Sequence, residues 1–111
     1  VERHRALALR SMDVLRTLGY GNVQIRHGNG QLGWPEHAPY DSILVSAGAR
    51  ATPPALMSQL KVGGILVIPL GPSGVAGQTL FRITRTSDRR FERQELGLVS
   101  FVPLVNSVAD E

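Results

Sequence analysis

The fold is decided by residues 42–71, which read SILVSAGARATPPALMSQLKVGGILVIPLG. Two short apolar runs in this stretch, residues 42–45 and 65–68, are of the type that forms strands buried on both faces. Between them, Thr52 is predicted to cap a helix whose first position is Pro53. A strand, a helix and a second strand in this order predict a parallel pair, since a crossover helix returns the chain in the same direction. The helix is predicted to carry Ala55, Leu56 and Leu60 and to end at Gly63 and Gly64.

The residues before this stretch predict a helix and a short strand. Apolar residues recur at helical spacing over residues 5–18, with arginines towards the opposite side, and Gly19 is placed as a C-terminal cap. Residues 23–26 alternate between apolar and polar, which is typical of a strand. Gly28, Asn29 and Gly30 then break the chain.

The residues after it predict a loop and an antiparallel strand pair. Residues 71–77 are rich in glycine, which favours a flexible loop. Residues 78–86 alternate as a strand does, and residues 89–96 are its predicted hairpin partner, with the turn at Ser87 and Asp88. Residues 99–105 form a last extended piece, and residues 106–111 are a polar tail.

These elements together predict an α/β fold with a mostly parallel sheet and a terminal antiparallel strand pair. In such sheets, ligands bind in loops beyond the carboxyl ends of the strands. Residues 1–2, 27–30 and 46–49 follow that rule and are the candidate binding loops.

Composition excludes several kinds of site. The 111 residues carry a formal charge of +3 and no cysteine, so disulfides, thiolate zinc sites and cysteine nucleophiles are excluded. The histidines have no metal-ligand spacing, and no metal is expected. The arginines between residues 82 and 93 have few aromatic neighbours, which favours a solvated hairpin over a nucleic-acid surface. The longest apolar run, residues 65–68, is far shorter than the roughly 20 residues that span a bilayer. We therefore expect a cytoplasmic protein with no membrane association.

Several motifs, taken in order, resemble one enzyme family. Residues 28–35 (GNGQLGWP), 38–41 (APYD), 59–71 (QLKVGGILVIPLG) and 101–104 (FVPL) are similar to the motifs of the protein-L-isoaspartate O-methyltransferase family. The resemblance implies a Rossmann-like methyltransferase fold that uses S-adenosyl-L-methionine. Residues 1–105 would be the C-terminal part of a single methyltransferase domain. The implied reaction methylates the free carboxyl of L-isoaspartyl residues in damaged proteins, and these proteins or peptides are the implied partners.

The resemblance also implies a set of cofactor-binding residues. Glu2 matches the acid that binds the ribose hydroxyls, and a carboxylate can accept two hydrogen bonds from a vicinal diol. Gly28, Asn29 and Gly30 match the turn at the adenine. Asn29 stands where the family usually has Asp, so a charge-assisted bond to the adenine amino group becomes a neutral one. From the residues alone, Glu2 also fits a solvated terminus, and Gly-Asn-Gly also fits a simple turn.

For the substrate, the resemblance implies a loop of small residues after the first buried strand. This loop comprises Ser46, Ala47, Gly48 and Ala49, which would let a peptide approach closely. Packing in a strand-to-helix turn explains the same small residues equally well. Pro69 and Gln78 match positions near the family's substrate cleft.

Parts of the family's machinery have no counterpart in this sequence. The glycine-rich loop at the methionine end of the cofactor and the Ser/Thr segment at the substrate carboxyl are expected upstream of Val1, and no catalytic residue is assigned here. The family's first strand, which lies between its second and fourth, is expected upstream as well. We therefore expect a C-terminal segment of a longer enzyme, inactive alone, whose sheet needs association to be complete. The alternatives are a non-catalytic methyltransferase-like remnant used for binding or assembly, and a methyltransferase of different specificity.

Overall fold

The computed structural model describes residues 1–72 and 77–109. The elements are helix α1 (Arg5–Thr17), strand β1 (Tyr40–Leu44), helix α2 (Pro54–Ser58) and strands β2 (Leu60–Leu70), β3 (Gln78–Ser87) and β4 (Arg90–Val99), with short 3-10 turns at Gly30–Leu32 and Pro35–His37. The predicted loop at 71–77 and the end of the polar tail lie in part outside the described residues.

Helix α1 confirms the prediction for residues 5–18 and ends as the glycine indicated. Gly19 has φ +82°, which an L side chain rarely adopts. Its N–H donates to the carbonyl of Arg16 at 3.1 Å, and the N–H of Tyr20 donates to the carbonyl of Leu15 at 3.0 Å. This pair of bonds satisfies carbonyls that the helix end would otherwise leave without partners.

The strands of the sheet lie in the order β1-β2-β3-β4. β1 and β2 run parallel, and β2·β3 and β3·β4 are antiparallel. The α/β architecture and the terminal antiparallel pair are therefore confirmed. The parallel part is smaller than expected, because the other parallel pairing in the described residues is limited to single bridges. These bridges join Glu2 to His27, Gly48 to Pro103 and Ala49 to Leu70.

The strand predicted over residues 23–26 does not form. A strand needs a neighbour along its length, and the segment beside this one, residues 1–3, pairs with it only around Glu2. The N–H of Glu2 donates to the carbonyl of Arg26, and the N–H of Gly28 donates to the carbonyl of Glu2, both at 2.9 Å.

The predicted helix over residues 52–64 is much shorter, and Leu60 lies in β2 instead. Its cap is Pro53, not Thr52, and it ends at Ser58. The register between β1 and β2 jumps from Tyr40↔Leu60 to Ser42↔Ile65, so the residues between form a bulge. The two glycines thus shape a bulge in a strand and do not end a helix. Gly63 has φ +87°, and a Cβ on Gly64 would lie 2.8 Å from the carbonyl oxygen of Lys61.

The core lies on one face of the sheet, under α2. Leu60, Leu66 and Ile68 of β2 are fully buried and pack with Leu56 of α2. Phe81 and Ile83 of β3, together with Ala49 and Leu70, complete the cluster. Burial of each aliphatic side chain contributes roughly 1.5–3 kcal/mol to the stability of the fold, so the side chains of β2 supply a large part of it. β1 is different, because it is an edge strand whose Leu44 is 75% exposed.

Candidate functional site

A cleft of about 810 Å³ is lined both by the N-terminal segment and by β1. Its walls come from five parts of the chain: residues 1–4 with Leu7, the loop from Gly30 to Trp34, β1 with the residues that follow it, Leu56 of α2 with Gln59 at its end, and residues 102–105. Among the sequence-predicted site residues, it brings together Glu2, Gly30, Ser46 and Ala47. Candidate cofactor and substrate residues thus share one cleft.

Glu2 is half-buried beside the N-terminal end of helix α1. Its backbone pairs with Arg26 and Gly28, which fixes the residue beside the Gly-Asn-Gly turn. Its Oε1 accepts a hydrogen bond from the N–H of His4 at 2.9 Å, and His4 is the N-cap of α1. A carboxylate there is favoured by the positive end of the helix dipole. The side chain is held in place while the carboxylate keeps further capacity to accept hydrogen bonds.

The Gly-Asn-Gly turn is packed between Glu2 and the C-terminal segment. Gly28 is buried, and Gly30 lies 3.5 Å from Leu104, measured from the position a Cβ would take. The Oδ1 of Asn29 accepts from the N–H of Gln31 at 3.0 Å, and its Nδ2 donates to Oδ1 of Asn106 at 2.9 Å. Asn29 therefore caps the following 3-10 turn, and unlike Gly30 it is not among the residues that line the cleft.

The loop of small residues follows β1 directly. Ser46 is exposed and Ala47 is half-buried, and both line the cleft. Gly48 turns away from it and pairs with the C-terminal segment, donating to Val102 at 2.7 Å and accepting from Leu104 at 2.8 Å. Ala49 is buried in the core and pairs with β2. The loop thus offers two residues to a ligand and uses the other two for packing.

Pro69 and Gln78 are not among the residues that line the cleft. Pro69 is fully buried within β2. Gln78 is 5% exposed, and both polar atoms of its side-chain amide form hydrogen bonds with the backbone of Phe101. Gln78 covers Gly48, and the carbonyl of Pro69 accepts from the N–H of Ala49 at 3.0 Å, so both contact the loop of small residues.

Sequence reasoning missed three side chains that shape the cleft: Gln59, Trp34 and Tyr40. Gln59 holds the loop at Trp34, and the hydroxyl of Tyr40 donates to the Trp34 carbonyl. Trp34 also meets the ring of His37 edge-on at 5.0 Å. The resemblance motifs contained all three residues, but nothing in the sequence distinguishes a buried glutamine from a surface one.

Electrostatics outside the cleft are simple. Nζ of Lys61 donates to Oδ1 of Asp41 at 2.9 Å, and this hydrogen bond and the attraction of the carboxylate raise the pKa of Lys61. Within residues 1–72 and 77–109, no cluster of three His, Cys, Asp or Glu side chains could hold a metal ion. The helices in the same residues are too short or too polar to cross a membrane.

The chain matches known proteins over nearly all of its length. The family model described as Protein-L-isoaspartate(D-aspartate) O-methyltransferase matches residues 1–109. Protein-L-isoaspartate O-methyltransferase of Methylorubrum populi is 54% identical over 108 residues, covering 97% of this chain and 50% of that protein. Protein-L-isoaspartate O-methyltransferase 2 of Pelobacter propionicus is 50% identical over 107 residues, covering 96% and 47%. The chain therefore spans about half the length of the curated relatives it matches.

Solved structures agree with these relatives. One is a putative protein-L-isoaspartate O-methyltransferase from Plasmodium falciparum, solved in complex with S-adenosyl-L-homocysteine. It is 27% identical and has a TM-score of 0.79 over 95% of this chain and 50% of that one. A second protein-L-isoaspartate O-methyltransferase structure has a TM-score of 0.82 over 89% of this chain and 31% of that one. The Rossmann-like methyltransferase fold is confirmed, and the chain belongs to the protein-L-isoaspartate(D-aspartate) O-methyltransferase family.

Proposed function

We propose that this chain serves S-adenosyl-L-methionine-dependent methylation of L-isoaspartyl carboxyls, as the C-terminal segment of a protein-repair methyltransferase in the cytoplasm. The observation that carries the proposal is the shared cleft. Glu2 and Gly30, implied in cofactor binding, line it together with Ser46 and Ala47, implied in substrate binding. A group-transfer enzyme needs its donor and acceptor side by side, and the grouping of these four residues in one cleft supports the proposal.

The residues present fit the adenosine part of the cofactor. A carboxylate anchored by its backbone and by the His4 N–H suits a ribose diol, because it accepts two hydrogen bonds. Gly30 lets a flat ring approach the backbone without a side chain in between. Asn29 is less suited to bind the adenine, because its Oδ1 already accepts a hydrogen bond from the N–H of Gln31. An amide oxygen has a second lone pair, so one further bond remains open to it.

For methyl transfer, these residues need only align the cofactor with the peptide substrate. When bound, S-adenosyl-L-methionine supplies an electrophilic methyl group for direct displacement by a carboxylate oxygen. A carboxyl group is ionised at neutral pH, so this chain need not supply a general base. Its part is to hold the ribose at Glu2 and to present the backbone of Ser46 and Ala47 to a peptide. The residues that would contact the methionine end and the substrate carboxyl are proposed to lie outside this chain.

The free edge of β1 supports the further proposal that the chain alone is inactive. In the described residues, β1 pairs on one side only, and its other side faces the cleft. Unpaired strand edges with exposed apolar side chains, such as Leu44 at 75%, are templates for an added strand. We propose that association with another extended segment completes the sheet here, filling the part of the cleft along β1 and leaving its loops, with Glu2, Gly30, Ser46 and Ala47, to the ligands.

A binding experiment tests the proposal. The natural polypeptide that contains this sequence is titrated with S-adenosylhomocysteine by calorimetry. Glu2→Gln removes the charge but can keep the bond to His4, and affinity should fall about tenfold, the equivalent of about 1.4 kcal/mol. Glu36→Gln is the matched control, since Glu36 is exposed, pairs with Arg26 at 3.2 Å and lies away from the cleft. Its affinity should match the wild type.

Two outcomes would contradict the proposal. If the wild-type polypeptide does not bind S-adenosylhomocysteine, the non-catalytic remnant used for binding or assembly is the better conclusion. If it binds but methylates aspartyl and isoaspartyl peptides alike, the fold serves a methyltransferase of different specificity. Methylation confined to the isoaspartyl peptide, with the predicted loss in Glu2→Gln, supports the repair function.

A further inference from the structure

Two glutamines are the buried polar side chains of the described residues, Gln59 at 8% exposure and Gln78 at 5%. Each uses its amide oxygen and its amide nitrogen on the backbone of a remote loop. Gln78 accepts from the N–H of Phe101 at 2.8 Å and donates to its carbonyl at 3.2 Å. Gln59 accepts from the N–H of Trp34 at 2.9 Å and donates to the carbonyl of Leu32 at 3.0 Å.

Gln59 is itself held in a rigid place. It is the C-cap of α2, and its N–H donates to the carbonyl of Ala55 at 3.2 Å. Its own carbonyl accepts from the N–H of Tyr40 at 2.7 Å. The next residue, Leu60, is fully buried in the core. The side chain therefore extends from the junction of α2, β1 and β2.

The loop that Gln59 holds is built to receive it. Gly33 has φ +63°, and a Cβ there would lie 2.2 Å from Oε1 of Gln59, so only glycine admits the amide this close. The hydroxyl of Tyr40 donates to the Trp34 carbonyl. The backbone of Trp34 is thus held at its N–H by Gln59 and at its carbonyl by Tyr40.

This loop continues the turn implied in cofactor binding. The 3-10 turn Gly30–Leu32 begins at its cap, Asn29, and ends at the carbonyl that accepts from Gln59. Fixing Leu32 and Trp34 therefore fixes where Gly30 faces the cleft. We propose that Gln59 is a positioning residue for the cofactor, acting through this loop. The proposal rests on the proposed function, because it requires that the cleft bind the cofactor.

Gln78 provides a matched control, because it makes the same kind of paired bonds but to Phe101, away from the Gly30 loop. Gln59→Met and Gln78→Met each keep an unbranched side chain of similar length and remove both hydrogen bonds. Trp34 is the only tryptophan of the chain, so its fluorescence can report the loop without any ligand, provided the natural polypeptide adds no second one. The natural polypeptide is used for acrylamide quenching, thermal unfolding and calorimetry with S-adenosylhomocysteine.

Both variants should unfold at similarly lowered temperatures, since each leaves two backbone groups without partners. Gln59→Met should raise the quenching of Trp34 and weaken S-adenosylhomocysteine binding by about tenfold. Gln78→Met should leave the quenching of Trp34 unchanged. If a Met variant does not fold, Gln59→Glu and Gln78→Glu replace the pair, since Glu retains the acceptor and loses the donor when ionised.

The inference is overturned if both variants raise the quenching of Trp34 equally, which is the sign of a general structural role, or if Gln59→Met keeps the wild-type affinity. It is also overturned if Trp34 quenching is unchanged in Gln59→Met. The proposed function fails by a different outcome, namely that the wild-type polypeptide does not bind S-adenosylhomocysteine. The cofactor-positioning role then falls with it.

Discussion

Replacing Gly48 by alanine tests how tightly the candidate substrate loop is packed. An added Cβ would lie 2.1 Å from Nε2 and 2.5 Å from Cδ of Gln78, far inside van der Waals contact. Gly48 lacks the positive φ of the strained glycines, so the effect of Gly48→Ala is steric and not conformational. The side chain of Gln78 must therefore move away from Phe101.

The magnitude follows from the two hydrogen bonds that this movement breaks. Gln78 and Phe101 exchange bonds of 2.8 and 3.2 Å in a place where Gln78 is 5% exposed. Each buried group left without a partner costs about 1–3 kcal/mol, and relaxation towards water recovers part of it. We expect Gly48→Ala to lower the free energy of unfolding by roughly 2–4 kcal/mol.

Urea unfolding of the natural polypeptide measures this loss, with Gly21→Ala as the control. Gly21 has no atom within 4 Å of an added Cβ and no positive φ, so its replacement should be neutral or slightly stabilising. In the double variant Gly48→Ala/Gln78→Ala the clash is gone, so the two losses should not add. A cost of Gly48→Ala no larger than that of Gly21→Ala, or strictly additive losses, would refute the steric explanation.

Three further outcomes follow from contacts elsewhere in the chain. Arg85 donates to the carbonyl of Leu60 at 2.6 Å and of Asp88 at 2.7 Å, so Arg85→Lys should destabilise by about 1–2 kcal/mol in urea unfolding, whereas the exposed Arg82→Lys should not. Leu44→Lys should leave the unfolding of the 111-residue chain within about 0.5 kcal/mol, because Leu44 is 75% exposed, yet should abolish its association with a strand-completing segment in pull-down assays. Asp41→Asn should lower the pKa of Lys61 towards 10.5, measured by NMR. The stabilisation from this pair should be present below that pH and lost as pH rises through the raised pKa of Lys61.

The sequence predicted well those strands that have both strand-forming residues and a neighbouring strand within the chain. Residues 65–68 are an apolar run in the middle of β2, and Leu66 and Ile68 among them are fully buried. The hairpin of β3 and β4 is local, so alternation and a polar turn sufficed. Residues 23–26 alternate just as clearly but fail to form a strand, because the adjacent segment forms a single bridge, from Glu2 to His27 just beyond them. Propensity is local, whereas a ladder needs two partners.

The sequence likewise predicted some residues of the candidate site and missed others. The candidate residues Glu2, Gly30, Ser46 and Ala47 were reached through the resemblance and lie in one cleft. The glutamine at position 59 was not reached, because its role depends on burial and on a loop 25 residues away. Leu60 was assigned to a helix because an apolar residue shortly after a helical run fits its spacing. Only the pairing of Leu60 with Tyr40 places it in a strand.

The C-terminal segment shows why the two halves of the site cannot be treated as independent. The carbonyl of Leu104 accepts from Nε2 of Gln31 at 3.1 Å, and the N–H of Leu104 donates to the carbonyl of Gly48 at 2.8 Å. One residue therefore ties the turn implied in cofactor binding to the loop implied in substrate binding. Displacing Leu104 would disturb both at once. Leu104 makes both bonds with its backbone, so a change of its side chain does not remove them. Substitutions that act on one loop alone, such as those at Gln59, are for this reason the sharper test of how the site is assembled.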